Sequence, residues 1–161
     1  MNWEAIGAIG EILGAMAVVL TLVYLAVQVR YAKDAASDNN RIARASGVRE
    51  MMLATATHPE LRELGLKTYD IDYFQELAKT FDLTLDQAYT LDQQNGYWFW
   101  LHWGQFASTT KQNDIDELKN LIQNFYRMPA VMYCWKNSPF HRFLLDPKFV
   151  EFVDGLLADA D

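Results

Sequence analysis

Residues Ile6–Val29 read IGAIGEILGAMAVVLTLVYLAVQV, an almost unbroken apolar run with one ionisable residue, Glu11. As a helix, this stretch rises roughly 36 Å, against a bilayer hydrocarbon core of about 30 Å. Trp3 before it and Tyr31 after it suit the two interfacial belts of a membrane. The segment is therefore read as a transmembrane helix over residues 1–30, with the lipid bilayer as its first partner. Arg30, Lys33, Arg41, Arg44 and Arg49 all follow the span, whereas only Glu4 precedes it. The positive-inside rule then places the N-terminus outside and the C-terminal part in the cytoplasm. A cleaved signal peptide carries a basic leading region, and here that region is acidic.

The span is two-faced. Residues three and four apart share a side of a helix. Gly7, Gly10, Glu11, Gly14, Ala17, Thr21 and Gln28 gather on one side, and Ile9, Leu13, Met16, Leu20, Val23 and Val27 on the other. Lipid does not select short side chains, but close approach of two helix backbones does. Gly10 and Gly14 form a GxxxG pair, so the small-residue side is expected to meet a second helix, from another copy or from a membrane-protein partner. Glu11 lies inside the hydrocarbon, where a carboxylate costs a few kcal/mol. Three resolutions are open: snorkelling to the outer interface, protonation, or a bond across the helix pair.

Beyond the span, composition narrows the function more than it names it. Residues 1–50 hold five basic and five acidic residues; residues 51–161 hold nine and sixteen, and so carry the whole net charge of −7. So acidic a domain is a poor nucleic-acid binder, because phosphate contacts need an excess of Lys and Arg. The net +3 from Arg30 to Arg49 suits topology and anionic headgroups. A lone Cys134 among Met132, Tyr133 and Trp135 permits no internal disulfide and reads as a buried, inert thiol.

The pattern predicts an all-α chain: the membrane helix, a helical stalk over 31–57, and a small helical bundle over 58–161. His58-Pro59 ends the stalk, since the residue before proline disfavours the helical region. Pro59 opens a short helix to about Gly65. Over 67–83 the apolar periods mix, and a helix from Tyr73 to Thr80 is expected. Thr84 caps a helix running to about Thr110, with Asp86 and Gln87 in its first turn. Asn113 or Asp114 caps the next. Pro129 interrupts that helix, which resumes over Ala130–Lys136. Asp146 caps a last helix with Pro147 at its first position.

Within the Thr84 helix, the run Tyr97-Trp98-Phe99-Trp100-Leu101-His102-Trp103 places rings on every side. Such a helix is central in a bundle or lies against a partner, and Trp98, Trp100, His102 and Trp103 are the candidate contact residues. His102 is read as structural, its nitrogens satisfied by neighbours, and His58 and His141 as turn or surface residues. The pairs Asp70/Asp72 and Asp114/Asp116 lack the Gly and terminal Glu of a calcium loop. Zinc spacing, a phosphate-binding glycine loop and a hydrolase elbow are absent from the sequence, so no catalytic residue, metal or cofactor is expected.

The opening WEAIGAIGEILGAMAVVLTLVYLAVQVR, the later HPELRELGLK and the ending DPKFVEFVDGLL resemble a group of uncharacterised bacterial membrane proteins with one N-terminal span and a small helical cytoplasmic domain. The resemblance implies a bacterial inner-membrane location and carries no activity over. The combined expectation is a membrane-anchored interaction protein, self-assembling or an accessory subunit of a larger complex. One alternative is a homo-oligomeric channel with a ring of Glu11 carboxylates selecting cations. A second is a cofactor binder or enzyme using the aromatic helix and His102 as an axial ligand.

Overall fold

The computed structural model describes residues 2–69 and 71–158, with the side chain of Ala5 also outside the description. Among these residues the chain forms seven α-helices, one short 3-10 turn and no strand. The helices are α1 (Trp3–Thr57), α2 (Pro59–Thr68), α3 (Ile71–Phe81), α4 (Leu85–Ser108), α5 (Gln112–Phe125), α6 (Pro129–Asn137) and α7 (Pro147–Ala158). They fall into two compact units, Met1–Asn40 and Arg41–Asp161.

The first unit is helix alone. Every described side chain from Asn2 to Asn40 is exposed, including all the bulky aliphatics of the apolar run. A helix satisfies its own backbone groups, so this segment needs no neighbour for its hydrogen bonds. What it lacks is cover for its apolar side chains.

The second unit is the bundle, and it begins inside the segment expected to be a stalk. Ala45, Met52 and Thr55 on the last part of α1 are buried, because this face meets α4: Thr55 Oγ1 lies 3.2 Å from Gln93 Oε1. Helix α4 is central and packs against α2, α3, α5 and α6. Its buried residues include Tyr89, Phe99, Trp100 and Trp103. Phe99, Tyr126 and Trp135 form a ring cluster with centroids 5.1–5.2 Å apart, in tilted and edge-on arrangements that suit aromatic quadrupoles.

The helix ends follow local chemistry. His58 is extended (φ −98°, ψ 114°), as a residue before proline must be, and Pro59 starts α2. Thr84 forms a full capping box: its hydroxyl accepts from Gln87 N at 3.2 Å, and Gln87 Oε1 accepts from Thr84 N at 2.9 Å. Asp146 Oδ1 accepts from Lys148 N at 2.9 Å ahead of Pro147. The sequence reading misplaced the start of α5. Lys111, in extended geometry, precedes the helix without a side-chain cap, and Asp114 sits in the first turn, where its negative charge complements the positive end of the helix dipole. The uncertain 67–83 stretch contains α3, which stops with Asp82 at φ 52° and Leu83 N bonded to Ala78 O. That is a Schellman stop with an aspartate in the left-handed position.

Helix α2 meets α4 at Gly65, which is buried against Tyr89. A Cβ there would overlap Tyr89 Oη and lie 2.5 Å from Cζ. Tyr89 is fully buried and its ring has nowhere to retreat. Gly65→Ala is expected to destabilise the bundle by about 1–3 kcal/mol, as overpacking generally does. Urea unfolding of the full chain in detergent, followed by tryptophan fluorescence, checks this; a shift below 0.5 kcal/mol (about the scatter of surface substitutions) would contradict the close approach.

Candidate functional site

The small-residue side of the apolar helix stands open. A Cβ added at Gly7, Gly10 or Gly14 meets nothing within 4 Å, and Glu11, Ala17 and Gln28 are exposed. Thr21 spends its hydroxyl inside its own helix, donating to Ala17 O at 2.8 Å. These residues thus form a continuous surface free of contacts from the rest of this unit. Arginine and lysine enter the chain only after the apolar run, from Arg30 onward.

The aromatic stretch of α4 has a different character. Trp100, His102 and Trp103 are buried inside the bundle, and only Trp98 reaches the surface, at 36% exposure. Trp98 stacks on His102 with centroids 5.9 Å apart, and Arg44 lies 5.5 Å above the Trp103 ring. His102 Nδ1 lies 3.4 Å from Tyr126 Oη, a long contact. Burial alone pulls the imidazole down to about 4, so it is neutral at physiological pH. Burial likewise raises the Tyr126 phenol well above its ordinary value. The rings of this stretch are mostly core, each packed on other rings of the same bundle.

A third set of residues was not singled out from the sequence. Asp92, fully buried on α4, accepts from Tyr73 Oη at 2.7 Å through Oδ1. Its Oδ2 lies 3.1 Å from His141 Nε2 and 3.5 Å from Gln93 Nε2. Gln93 in turn meets Thr55, which also donates to Met52 O at 2.9 Å. The result is a chain of polar groups, Thr55–Gln93–Asp92–His141, that ties α1, α4 and the loop before the 3-10 turn together. His141, read from the sequence as a turn or surface residue, is completely buried. It does lie in a loop, but the loop folds inward because Asp92 offers the only hydrogen-bonding anchor that its ring reaches among the described residues.

Beside this chain, Asn95 Nδ2 donates to Cys134 Sγ at 3.3 Å. Burial, and then the Asp92 charge, push the Cys134 thiol up to about 12, which keeps it protonated and a poor nucleophile. The same two causes raise the Tyr73 phenol far above its usual range. Among the described residues, no group of three or more His, Cys, Asp or Glu is placed to hold a metal ion. Asp70, half of one sparse acidic pair, lies outside the described residues.

No protein-family model matches this chain, and neither a curated protein nor a solved structure matches it.

Proposed function

We propose that the chain is a single-span membrane protein whose apolar helix both anchors it and pairs with a second copy, presenting the helical bundle as an interaction module. One observation carries this reading. The apolar window of α1 is long enough to cross a bilayer, and none of it is buried within the protein. A core helix of a soluble domain is covered by its own chain; this one exposes Ile9, Leu13, Leu20 and Val23 at 56–67%. So large an apolar surface calls for lipid or another protein as cover. Lipid covers the aliphatic side well, and a second backbone suits the side of Gly7, Gly10 and Gly14. The basic residues after the span favour an outside N-terminus and a cytoplasmic bundle, with the bacterial inner membrane as the setting.

The test has two arms. Membranes carrying the full chain are washed with alkaline carbonate; release of the protein into the wash would overturn the anchor. The detergent-solubilised chain is then sized by light scattering, with the wild type expected to form a dimer or larger assembly. Gly10→Leu combined with Gly14→Leu is expected to reduce it to a single chain while the bundle's circular dichroism is unchanged. Equal masses for wild type and variant would remove the pairing face from the proposal.

A further inference from the structure

Residues of α6, α7, the turn before α6 and the 3-10 turn line a groove of about 780 Å³. That volume lies within the roughly 300–1,000 Å³ of small-molecule sites. Three cations stand in its wall: Arg127 between α5 and α6, Lys136 in the last turn of α6, and Arg142 at the start of the 3-10 turn. Residues 51–161 carry nine basic residues against sixteen acidic ones, so a third of the basic residues of an acidic segment meet in one groove. Met132 lies one turn before Lys136 on α6, and Leu157 one turn after Asp154 on α7, so each helix adds an apolar side chain beside the charges.

The three cations are not equivalent. Asp154, the one acid of the wall among the described residues, spends both oxygens: Oδ1 accepts from Trp135 Nε1 at 2.8 Å, and Oδ2 accepts from Arg142 Nη2. Arg142 also lies over the Trp135 ring, its Cζ 5.3 Å from the centroid. Its charge is therefore offset and its guanidinium held in place, with further N–H groups left to donate. Arg127 and Lys136 are exposed and make no hydrogen bond or ion pair with the described residues. Two positive charges of the groove thus stand without an opposite charge. A carboxylate brings one negative charge and two oxygens. A phosphate monoester brings nearly two charges at neutral pH and three terminal oxygens, which matches the two unpaired cations and leaves an oxygen for Arg142. Arginine suits a phosphoryl group in particular, since its planar fork donates to two oxygens at once.

We infer that this groove binds a small phosphate monoester, with the phosphoryl group taken by Arg127, Lys136 and Arg142 and the organic part lying on Met132 and Leu157. The site is built by the bundle alone and stands whether or not the apolar helices cross a bilayer and pair. Asp159 and Asp161 follow the lining residue Ala158 in the chain and lie outside the described residues, so their carboxylates are the rival occupants that the test must separate.

The full chain in a non-ionic detergent is titrated by calorimetry with phenyl phosphate and with benzoate, at about pH 8, well above the second phosphate ionisation near 6. Phenyl phosphate is expected to bind at least about tenfold more tightly than benzoate. Arg127→Gln combined with Lys136→Gln is expected to weaken phenyl phosphate by about tenfold or more, as loss of charge-assisted hydrogen bonds implies. Both side chains are exposed, so circular dichroism should be unchanged. Lys79→Gln combined with Lys111→Gln removes as much charge from exposed positions outside the groove and should change binding by less than about twofold. Phosphatidic acid added to the micelles identifies the source of the ester: displacement of phenyl phosphate assigns the groove to a lipid headgroup, and no displacement assigns it to a soluble ester. Binding that is absent, equal for the two probes, or weakened as much by the second double variant as by the first overturns the assignment. Binding seen only with Asp159→Asn and Asp161→Asn in place would give the groove to the chain's own acidic residues and overturn it as well.

Discussion

Asp92→Ala is expected to destabilise the bundle by roughly 3–5 kcal/mol, because each buried donor left without its acceptor costs about 1–3 kcal/mol. The side chain is wholly inaccessible and accepts from three donors: Tyr73 Oη, His141 Nε2 and Gln93 Nε2. Alanine leaves all three donors facing a void inside the bundle. The 139–144 loop also loses its anchor, since His141 reaches no other acceptor among the described residues. Tyr73→Phe removes a single hydrogen bond to a charged group and is expected to cost less, about 1.5–3 kcal/mol. Because the two residues share one bond, the double variant should fall short of the sum, with a coupling of about 1 kcal/mol or more. Urea unfolding of the full chain in detergent reads all three, as four of the five tryptophans lie at residue 98 or beyond. A loss below 1 kcal/mol for Asp92→Ala (the centre of ordinary point mutations) would show that the polar chain does not hold the loop.

Where the chain carries its own punctuation, the sequence discloses the fold. Pro59, Thr84, Pro129 and Pro147 each begin a helix at or next to the position expected, because proline geometry and capping act within a few residues and need no tertiary help. Elsewhere tertiary packing decides. Asn113 and Asp114 are good caps by type, yet α5 starts earlier, at Gln112, after an uncapped lysine. The division between stalk and bundle was also hidden. Nothing local distinguishes Ala45 or Met52 from a solvated helix face until α4 is laid against them.

The buried polar chain was half legible. Ala88, Tyr89, Asp92, Gln93, Gly96, Phe99 and Trp103 recur at three- and four-residue steps and are all buried on α4. Asp92 and Gln93 interrupt that apolar stripe, and a carboxylate in a core stripe implies a partner. The louder run of aromatics that begins five residues after Asp92, at Tyr97, masks that signal. His141 carried no comparable signal: it lies outside any helix, so no periodicity marks it as inward-facing. Gly96 is the residue that admits its ring, since a Cβ there would overlap Cε1 and lie 2.8 Å from Nδ1.

His102 makes the stability of the bundle depend on pH, and the sign is fixed by burial. Its imidazole titrates near 6.5 in an unfolded chain and at about 4 in the folded one. The unfolded state therefore binds more protons across this window, so stability rises with pH through it. The contribution is fully present above about 6.5 and is lost as pH falls toward 4, where the loss amounts to roughly 3 kcal/mol. Acid also protonates carboxylates generally, so the wild-type profile alone cannot isolate the histidine. His102→Phe does, because phenylalanine keeps a ring against Trp98, Phe125 and Tyr126 and gives up only the long 3.4 Å contact to Tyr126 Oη. At pH 7.5 the variant should match the wild type to within about 1 kcal/mol, the worth of one ordinary hydrogen bond. At pH 4.5 it should be the more stable protein by about 2–3 kcal/mol, and its unfolding midpoint should fall less steeply between the two pH values. Parallel profiles for the two proteins would mean that His102 accepts a proton in place, and that the ring cluster around it admits water.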